Sequence, residues 1–407
     1  MSVTAPPAPQ RVDRWSMLRG GVSGIALVVV AFVLATELYE RVLDDPFVSG
    51  ARASAYWVDY RDGFVRRGLP GEFLRLFTES PTAAHATWLA GGMLAAGAIA
   101  LLVLVTLLAR TVSEAEPRLL VVALVVASPF TFDQLMRIIG RFDGVGFAAM
   151  ATISVLCAGS TAHRSARAVG IGALVLLATA TEELLFAFVA PIAVIALRRL
   201  GWTGQRLRVV TAAVLAPGTA VAALSMVGRP SRDALTRLIA EANAAGLDVN
   251  LAKENTISTL GQTATQGFRF FLGMSPLTVL TGVVVFGGCY LLTTTMLRTT
   301  VAGTADGRLG ALAAGFALVA VLLSTVGNDY RRWWALAFVA FVAALAMLGR
   351  SHSPRPAPTP SPVYVLLACA ALVFSLKLHP EPIFPKWDKT ADTGFSVERL
   401  HQLDPTW

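Results

Sequence analysis

The sequence predicts an all-α membrane protein: a polytopic helical bundle with about eleven transmembrane helices, ten being the alternative count. Two observations predict this fold class. Of 407 residues, 55% are hydrophobic and only 15% are charged, and the mean hydropathy is +0.62, which is more apolar surface than a water-soluble globule can cover. The apolar runs also lack the alternation of strands, so helices are the way to satisfy the backbone in lipid.

Each long apolar run is predicted to form one helix. The predicted helices cover residues 20–38, 84–109, 118–132, 144–160, 167–181, 184–197, 207–227, 273–297, 309–326, 333–349 and 362–378. Residues 1–19 form a Pro-rich, disordered cytoplasmic segment, residues 20–378 the transmembrane domain with long outer loops at 39–83 and 228–272, and residues 379–407 an outer tail.

The two counts differ at residues 167–197, which form either one helix or a hairpin of two. One helix would leave Glu182 and Glu183 in the middle of the membrane, at a cost of about 2.5–3.5 kcal/mol each. We therefore favour the hairpin, with both glutamates at its outer tip.

The distribution of charge predicts the orientation. With a cytoplasmic N-terminus and eleven crossings, the cytoplasmic segments hold fifteen of the 34 basic residues and only four of the 26 acidic ones, as the positive-inside rule expects. The sequence thus predicts a multi-pass protein of the bacterial cytoplasmic membrane. The same loop arginines account for the net charge of +8, so we expect no nucleic-acid partner.

The first outer loop contains the densest polar motif, YWVDYRDGFVRRGLPGEFLRLF. Its candidate residues are two acids, Asp59 and Asp62, followed by Arg66 and Arg67. The alternative interpretations are local pairing of the acids with Arg61 or Arg66, and anchoring of the arginines to lipid headgroups. Pro70 is predicted in the first turn of a short helix that lies in the membrane interface, with Phe73, Leu74 and Phe77 on its apolar face.

Three further outer segments contain candidate residues. They are FDQLMRIIGRFDG with Asp133, Arg137, Arg141 and Asp143; TEELLF with Glu182 and Glu183; and GNDYRRWW with Asn328, Asp329, Arg331 and Arg332. The spacing of Arg137 and Arg141 predicts one shared helical face, and Asp143 has helix capping as its alternative role. Trp333 and Trp334 are predicted to be interfacial anchors.

The loop at 228–272 contains an amphipathic surface helix, predicted to begin after Ser231 and to end near Gly246. We expect it to form a lid or rim over an outward-facing groove. No Walker loop or nucleotide fingerprint is present, and no His lies in a predicted span, which argues against an ATP-driven pump and a His-metal cluster.

Arginines and acids on one face suit a lipid-linked phosphate, because a guanidinium binds phosphate in a bidentate manner. A carboxylate there serves as general base or holds a divalent cation, Mg or Mn, on a diphosphate. The first-loop acids with a juxtamembrane helix, and the strings RDGFVRRGLPG, GRFDG, TEELLF and NDYRRW, resemble the GT-C superfamily of polyprenyl-phosphate-dependent glycosyltransferases and Wzy- or EpsG-type polysaccharide polymerases. The chain differs from GT-C members in lacking a paired-acid motif and a large outer C-terminal domain.

The resemblance implies that Asp59 or Asp62 is the catalytic base or a metal ligand. The leading hypothesis is therefore transfer of a sugar from a polyprenyl-linked donor to a glycan or lipid acceptor on the outer face. Arg66, Arg67, Arg137, Arg141, Arg331 and Arg332 are the candidate phosphate-binding residues, and Glu182 and Glu183 orient the acceptor or a metal. The alternatives are a transporter or flippase of a lipid-linked or amphipathic substrate, and a membrane scaffold.

Overall fold

The computed structural model describes residues 50–61, 63–137, 139–158, 163–228, 230–249, 256–260, 282–302, 307–325 and 330–349, with single residues at 28, 31, 32, 35, 48 and 268. Every regular element within these ranges is helical. Most of the predicted helix 20–38, residues 273–281 and the predicted helix 362–378 lie outside the described residues.

The helices follow the apolar runs of the sequence. In chain order they are α1 Gly50–Ala53, α2 Leu69–Arg75, α3 Ala83–Ala109, α4 Ala115–Val126, α5 Phe132–Arg137, α6 Asp143–Leu156, α7 Arg164–Thr181, α8 Phe186–Arg199, α9 Gly204–Val227, α10 Arg232–Ala244, α11 Thr256–Thr259, α12 Gly287–Ala302, α13 Gly307–Ser324 and α14 Tyr330–Leu348. A 3-10 turn at Ser54–Trp57 follows α1, another at Glu183–Leu185 joins α7 to α8, and a π-turn at Gly282–Phe286 precedes α12.

Four helices among the described residues are long and apolar enough to cross a membrane. They are Ala83–Ala109, Gly204–Val227, Gly307–Ser324 and Arg331–Leu348, while Pro117–Val126 and Asp143–Leu156 are shorter apolar helices. The chain is thus a helical membrane protein by length and composition.

Helix α14 forms the centre of the bundle. Its apolar stretch is 89% buried inside the protein, and it packs against α3, α6, α8, α12 and α13. A helix that is apolar on every side belongs in a core, and this explains why Trp333 and Trp334 are both only 3% exposed. Their predicted role as interfacial anchors was wrong.

Helices α3 and α6 approach each other closely because glycines face one another. A Cβ added to Gly144 would lie 2.3 Å from the Met93 carbonyl oxygen, and one added to Gly97 would lie 2.9 Å from the Cα of Gly144. Small residues of this kind let helix backbones pack tightly within membranes. The contact fixes the N-terminal end of α6 against α3.

A second, smaller unit covers one end of the bundle. We call it the cap, and it comprises the described parts of residues 50–77 and 231–260. It has its own apolar core, in which Tyr56, Trp57, Leu235 and Leu238 are at most 1% exposed. The cap rests on the beginning of α3 and on the turn at residues 139–142.

The cap helix α10 confirms the predicted amphipathic helix. The Ser231 hydroxyl accepts a hydrogen bond from the Ala234 amide at 3.1 Å, and Gly246 adopts φ +88° just after the helix ends, as an N-cap and a C-terminal glycine should. Leu235 and Leu238 face the cap core.

Helix α2 begins with Pro70 in its first turn, as predicted, and Leu74 is buried. Phe73 is 45% exposed and Phe77 74% exposed, together with Leu76 at 78%. Two of the three residues predicted on the apolar face, Phe73 and Phe77, are therefore exposed at the protein surface while Leu74 packs inward, which fits a helix lying in the membrane interface.

The segment from α7 to α8 forms two helices, which confirms the hairpin that the sequence favoured over one long helix. Glu182 adopts extended backbone angles, φ −155° and ψ 119°, which ends α7, and α8 begins at Phe186. The two helices pack against each other. The break brings both glutamates to the end of the bundle that the cap covers.

Candidate functional site

Charged side chains from the bundle and from the cap meet beneath the cap. Helix α14 contributes two consecutive arginines at its first turn, α5 and α6 contribute an aspartate each, and the α7–α8 turn contributes two glutamates. We call this group the charged cluster: Arg66, Arg67, Asp133, Arg137, Arg141, Asp143, Glu182, Glu183, Arg331 and Arg332.

Arg332 lies at the centre of the charged cluster, and its side chain is 3% exposed. Its Nε donates to Asp143 Oδ1 at 2.5 Å, and its Nη2 donates to Glu182 Oε2. The planar guanidinium can bridge two carboxylates from different helices in this way. Asp143 is the first residue of α6, which is capped by no side chain, so its alternative role as a helix cap is wrong.

The neighbouring Arg331 faces α5. Its Nη2 donates to Asp133 Oδ2 and, at 3.4 Å, to the Pro129 carbonyl. Asp133 is 2% exposed and also accepts from Arg137 at 3.1 Å, one helical turn away. Asp133 lies in a predicted candidate segment without a predicted role of its own, although its i,i+4 spacing from Arg137 is a signal for this pair.

Arg137 and Arg141 do not share a helical face. Helix α5 ends at Arg137, and Gly140 adopts φ +91° between the two arginines, a conformation that interrupts a helix and that glycine tolerates. Arg141 instead lies near Glu182 and stabilises its negative charge. The prediction of a common face was wrong, yet both arginines belong to the charged cluster.

Two arginines reach the charged cluster from the cap. Arg67 adopts φ +62°, a strained conformation for a side chain of this size. Its Nη2 lies 3.4 Å from Glu182 Oε1 and 3.6 Å from Glu183 Oε1. The Nη1 of Arg66 lies 3.9 Å from Glu183 Oε1, and its Nη2 donates to the Thr259 carbonyl. The strained turn directs the cap's arginines toward the bundle.

The carboxylates of the charged cluster are buried, with side chains at most 6% exposed. Within the described part of the chain, Glu182 Oε1 and Glu183 Oε2 are buried with no hydrogen-bond partner, although Glu182 Oε1 lies 3.4 Å from Arg67 Nη2. Because buried polar atoms need partners, Glu183 Oε2 suits a ligand that carries a hydroxyl, and the arginines beside it suit an anionic group.

Asp59 lies in a different cluster, inside the cap. Its side chain is fully buried and pairs with Arg61 and Arg75, both at 2.8 Å, and with Arg237 at 3.2 Å. The same three arginines bind Glu241 of α10. Both oxygens of Asp59 therefore hold α10 against the first outer loop. The structure thus shows the pairing of Asp59 with Arg61 that was one of the alternative interpretations. The pair is buried in the cap.

Hydrogen bonding controls the ionisation of Asp59. Burial raises the pKa of the Asp59 carboxyl, but hydrogen bonds from Arg237 and Arg61 outweigh burial and hold the pKa below its ordinary value. The pKa of Glu241 is likewise lowered, against burial, by bonds from Arg61 and Arg237. Asp59 thus remains a carboxylate that accepts from arginines, and this is unsuitable for a general base.

The lowered pKa predicts a pH dependence. A carboxyl whose folded-state pKa is lowered stabilises the protein fully above the unfolded pKa, about 3.9, and loses this contribution as pH falls through the folded pKa. We expect Asp59→Asn to cost about 2 kcal/mol at pH 7 and to flatten the decline below pH 4, measured by unfolding in mixed micelles. Glu79→Gln, at an exposed residue, should keep the wild-type profile; an identical profile in Asp59→Asn would contradict the assignment.

Three predicted site residues, Asp62, Asn328 and Asp329, lie outside the described residues. Sequence reasoning missed Arg75, Arg237 and Glu241, although Arg237 and Glu241 are an i,i+4 pair. Within the described ranges, no three His, Cys, Asp or Glu side chains are grouped as metal ligands would be.

The apolar helices, the central buried α14 and the charged cluster beneath a cap define a polytopic helical membrane protein. Residues 22–272 match the family described as uncharacterised membrane protein Rv1490, and the chain belongs to that family. The matched region includes the cap, Asp133, Asp143, Glu182 and Glu183, whereas Arg331 and Arg332 lie beyond it.

Relatives come from mycobacteria. The chain is 33% identical over 193 residues to "Uncharacterized protein Rv1490" of Mycobacterium tuberculosis H37Rv and to "Uncharacterized protein Mb1527" of Mycobacterium bovis. The match covers 46% of this chain and 43% of each relative, so it spans less than half the length of these proteins. No solved structure matches the chain.

Proposed function

We propose that this protein is a membrane glycosyltransferase or glycan polymerase that uses a polyprenyl-linked sugar donor. The observation that carries the proposal is the charged cluster, which gathers arginines and buried carboxylates at one end of the bundle and leaves Glu183 Oε2 with no hydrogen-bond partner among the described residues. Guanidinium groups suit a phosphate or diphosphate, and this carboxylate oxygen suits the proton of an acceptor hydroxyl.

Glu183 takes the role of general base in this proposal. The acceptor O–H gives its proton to Glu183 Oε2, the oxygen forms a bond to the anomeric carbon of the sugar, and the bond from that carbon to the phosphate oxygen breaks. The phosphate leaves with the electron pair, and Arg66, Arg67 and Arg141 stabilise its charge. Arg332 holds Asp143 and Glu182 in place and does not need to touch the substrate.

The proposal includes a topology. With the N-terminus in the cytoplasm, eleven crossings place the charged cluster on the outer side of the cytoplasmic membrane, where lipid-linked sugars are the usual activated donors. The arginines at the opposite end of the bundle, among them Arg110, Arg164 and Arg206, would then lie in the cytoplasm, in agreement with the positive-inside rule.

The distribution of polar groups favours an enzyme over a transporter. Every buried ionised residue in the described ranges belongs to the cap or to the charged cluster. Buried hydroxyls elsewhere in the helices, such as those of Thr179, Thr293 and Ser324, donate to carbonyls of their own helix. A transport path needs polar groups through the middle of the membrane, whereas an enzyme can keep them at one end.

The test is transfer of labelled sugar from a panel of polyprenyl-phosphate-linked donors by the purified protein in nanodiscs. We expect Glu183→Gln to lower turnover by about 100-fold or more, while Glu79→Gln, at an exposed position, keeps wild-type turnover. Asp62→Asn is the second variant to assay, because the role of Asp62 as general base remains a prediction from the sequence. Full turnover in Glu183→Gln together with loss of turnover in Asp62→Asn would mean that Asp62 of the first outer loop, and not Glu183, is the general base. Full turnover in both variants would contradict a carboxylate base at either position.

A further inference from the structure

Helices α7, α8 and α9 bring exposed arginines to the end of the bundle opposite to the charged cluster. We call these the basic patch: Arg164 at the start of α7, Arg198 in the last turn of α8, and Arg206 and Arg208 in the first two turns of α9. From residue 163 to residue 208 the sequence has two acids, Glu182 and Glu183, and both lie at the other end. Among the described residues the four arginines form no ion pair, so their charge is not neutralised by the protein.

The arginines of α7 and α9 lie at the same height because these two helices run parallel. A Cβ added to Gly172 would lie 3.5 Å from the Val214 carbonyl oxygen, and one added to Gly218 would lie 2.9 Å from the Val175 side chain. The two contacts have the same offset along the chain to within one residue. That offset, continued toward the start of both helices, places Arg164 level with Arg206.

An aromatic stack ties the start of α7 to the turn between α8 and α9. The guanidinium carbon of Arg164 lies 4.5 Å from the centroid of the Trp202 ring, and Gly201 and Gly204, at φ +84° and +55°, shape the turn that carries this tryptophan. Stacking uses the flat face of a guanidinium and leaves the N–H groups at its edge able to donate to a phosphate. Tryptophan beside arginine is also typical of the headgroup level of a membrane.

The surface next to the basic patch is apolar. Val169 on α7 is 72% exposed and Val209 on α9 is 62% exposed, and both lie within two turns of the arginines. Only 22% of the apolar stretch of α9 is buried inside the protein, so most of this helix faces lipid. Exposed cations at the end of two parallel helices and exposed valines just beyond them match the two parts of a phospholipid.

We infer that the basic patch binds the headgroup of an anionic phospholipid, with the phosphate between Arg164 and Arg206 and the acyl chains along Val169 and Val209. Guanidinium groups bind phosphate oxygens in a bidentate manner, and each basic residue near a membrane surface strengthens the attraction to anionic lipid about fivefold. The site is at the opposite end of the bundle from the charged cluster and does not rest on the proposed function.

The experiment is native mass spectrometry of the full chain in a non-ionic detergent, which resolves the binding of single lipids. The probes are dioleoylphosphatidylglycerol, dioleoylphosphatidylcholine, which has the same chains on a zwitterionic headgroup, and glycerol 3-phosphate, which has no chains. We expect phosphatidylglycerol to bind about tenfold more tightly than phosphatidylcholine. The double variant Arg164→Gln/Arg206→Gln should raise the Kd for phosphatidylglycerol about 25-fold and remove this preference.

The matched control is Arg110→Gln/Arg232→Gln, which removes two exposed arginines outside the basic patch and should keep the wild-type Kd. If the first double variant does not fold, Arg198→Gln/Arg208→Gln replaces it. Equal Kd values for the two lipids in the wild type would overturn the site, and so would an equal loss in the control, which would mean that overall charge attracts the lipid. Binding of glycerol 3-phosphate as tight as that of phosphatidylglycerol would overturn the role of the acyl chains and indicate a site for free phosphate.

Discussion

Arg332→Met is expected to lower the free energy of unfolding by about 3–5 kcal/mol, because removing one partner of a buried ion pair leaves the other charge uncompensated. Arg332 is 3% exposed and donates to both Asp143 and Glu182. Methionine keeps much of the side-chain volume, so the loss reports charge and hydrogen bonding. Reversible unfolding in mixed micelles of increasing SDS content measures the effect.

The matched control is Arg206→Met, at an exposed arginine at the opposite end of the bundle, where a surface substitution should change the free energy of unfolding by less than about 0.5 kcal/mol. Adding Glu182→Gln to Arg332→Met should recover part of the loss, since it removes one of the two charges left unpaired. Equal stability of Arg332→Met and the wild type would contradict the buried ion pairs of Arg332 with Asp143 and Glu182.

Gly144→Ala is expected to destabilise the protein by about 3 kcal/mol, at the upper end of the usual cost of overpacking. Its new Cβ would lie 2.3 Å from the Met93 carbonyl oxygen, and a backbone atom cannot rotate away as a side chain can. Helix α6 would have to move away from α3. Because Asp143 precedes Gly144, the same shift should weaken the bond from Arg332.

Gly91→Ala serves as the control for this substitution. Gly91 lies on α3 with nothing within 4 Å of a new Cβ, and alanine is favoured over glycine in a helix by up to about 1 kcal/mol. The two variants should therefore change the free energy of unfolding in opposite directions. A Gly144→Ala variant as stable as Gly91→Ala would contradict the close packing of α3 on α6.

The charged cluster lies where two separately packed units meet. The cap supplies Arg66 and Arg67 through a strained turn, and the bundle supplies the carboxylates of Glu182 and Glu183. In the cap, the ion pairs of Asp59 and Glu241 hold α10 against the first outer loop. The position of the cap therefore decides how two of the six arginines are presented to a ligand.

Local sequence rules predicted much of the helical framework. The run at 84–109 corresponds to α3 within one residue, Ser231 and Gly246 bound α10, and the two glutamates interrupt the apolar run between α7 and α8. These features depend on short-range physics: hydropathy, capping, and the cost of a charge within lipid. The sequence also pointed to most members of the charged cluster, because polar residues between apolar runs gather at the ends of helices.

Other predictions failed because they depended on distant contacts. Helical spacing suggested that Arg137 and Arg141 share a face, but Gly140 interrupts the helix before Arg141. Tryptophans beside arginines suggested a membrane interface, but α14 is surrounded by other helices, and Trp334 packs on Tyr290 with ring centroids 5.3 Å apart. In each case tertiary packing overrode a local preference.

The sequence by itself determined that this chain is a helical membrane protein whose candidate polar residues lie between apolar runs, at one end of the helices. Hydropathy and charge determine this because both act over single segments. Only the tertiary structure decided the partner of each charge. Arg332 meets Glu182 across 150 residues of sequence, and Arg237 meets Asp59 across 178. Such pairs form because desolvated charges must be neutralised wherever packing brings them. Packing saturated Asp59 with arginines and left Glu183 Oε2 without a hydrogen-bond partner among the described residues.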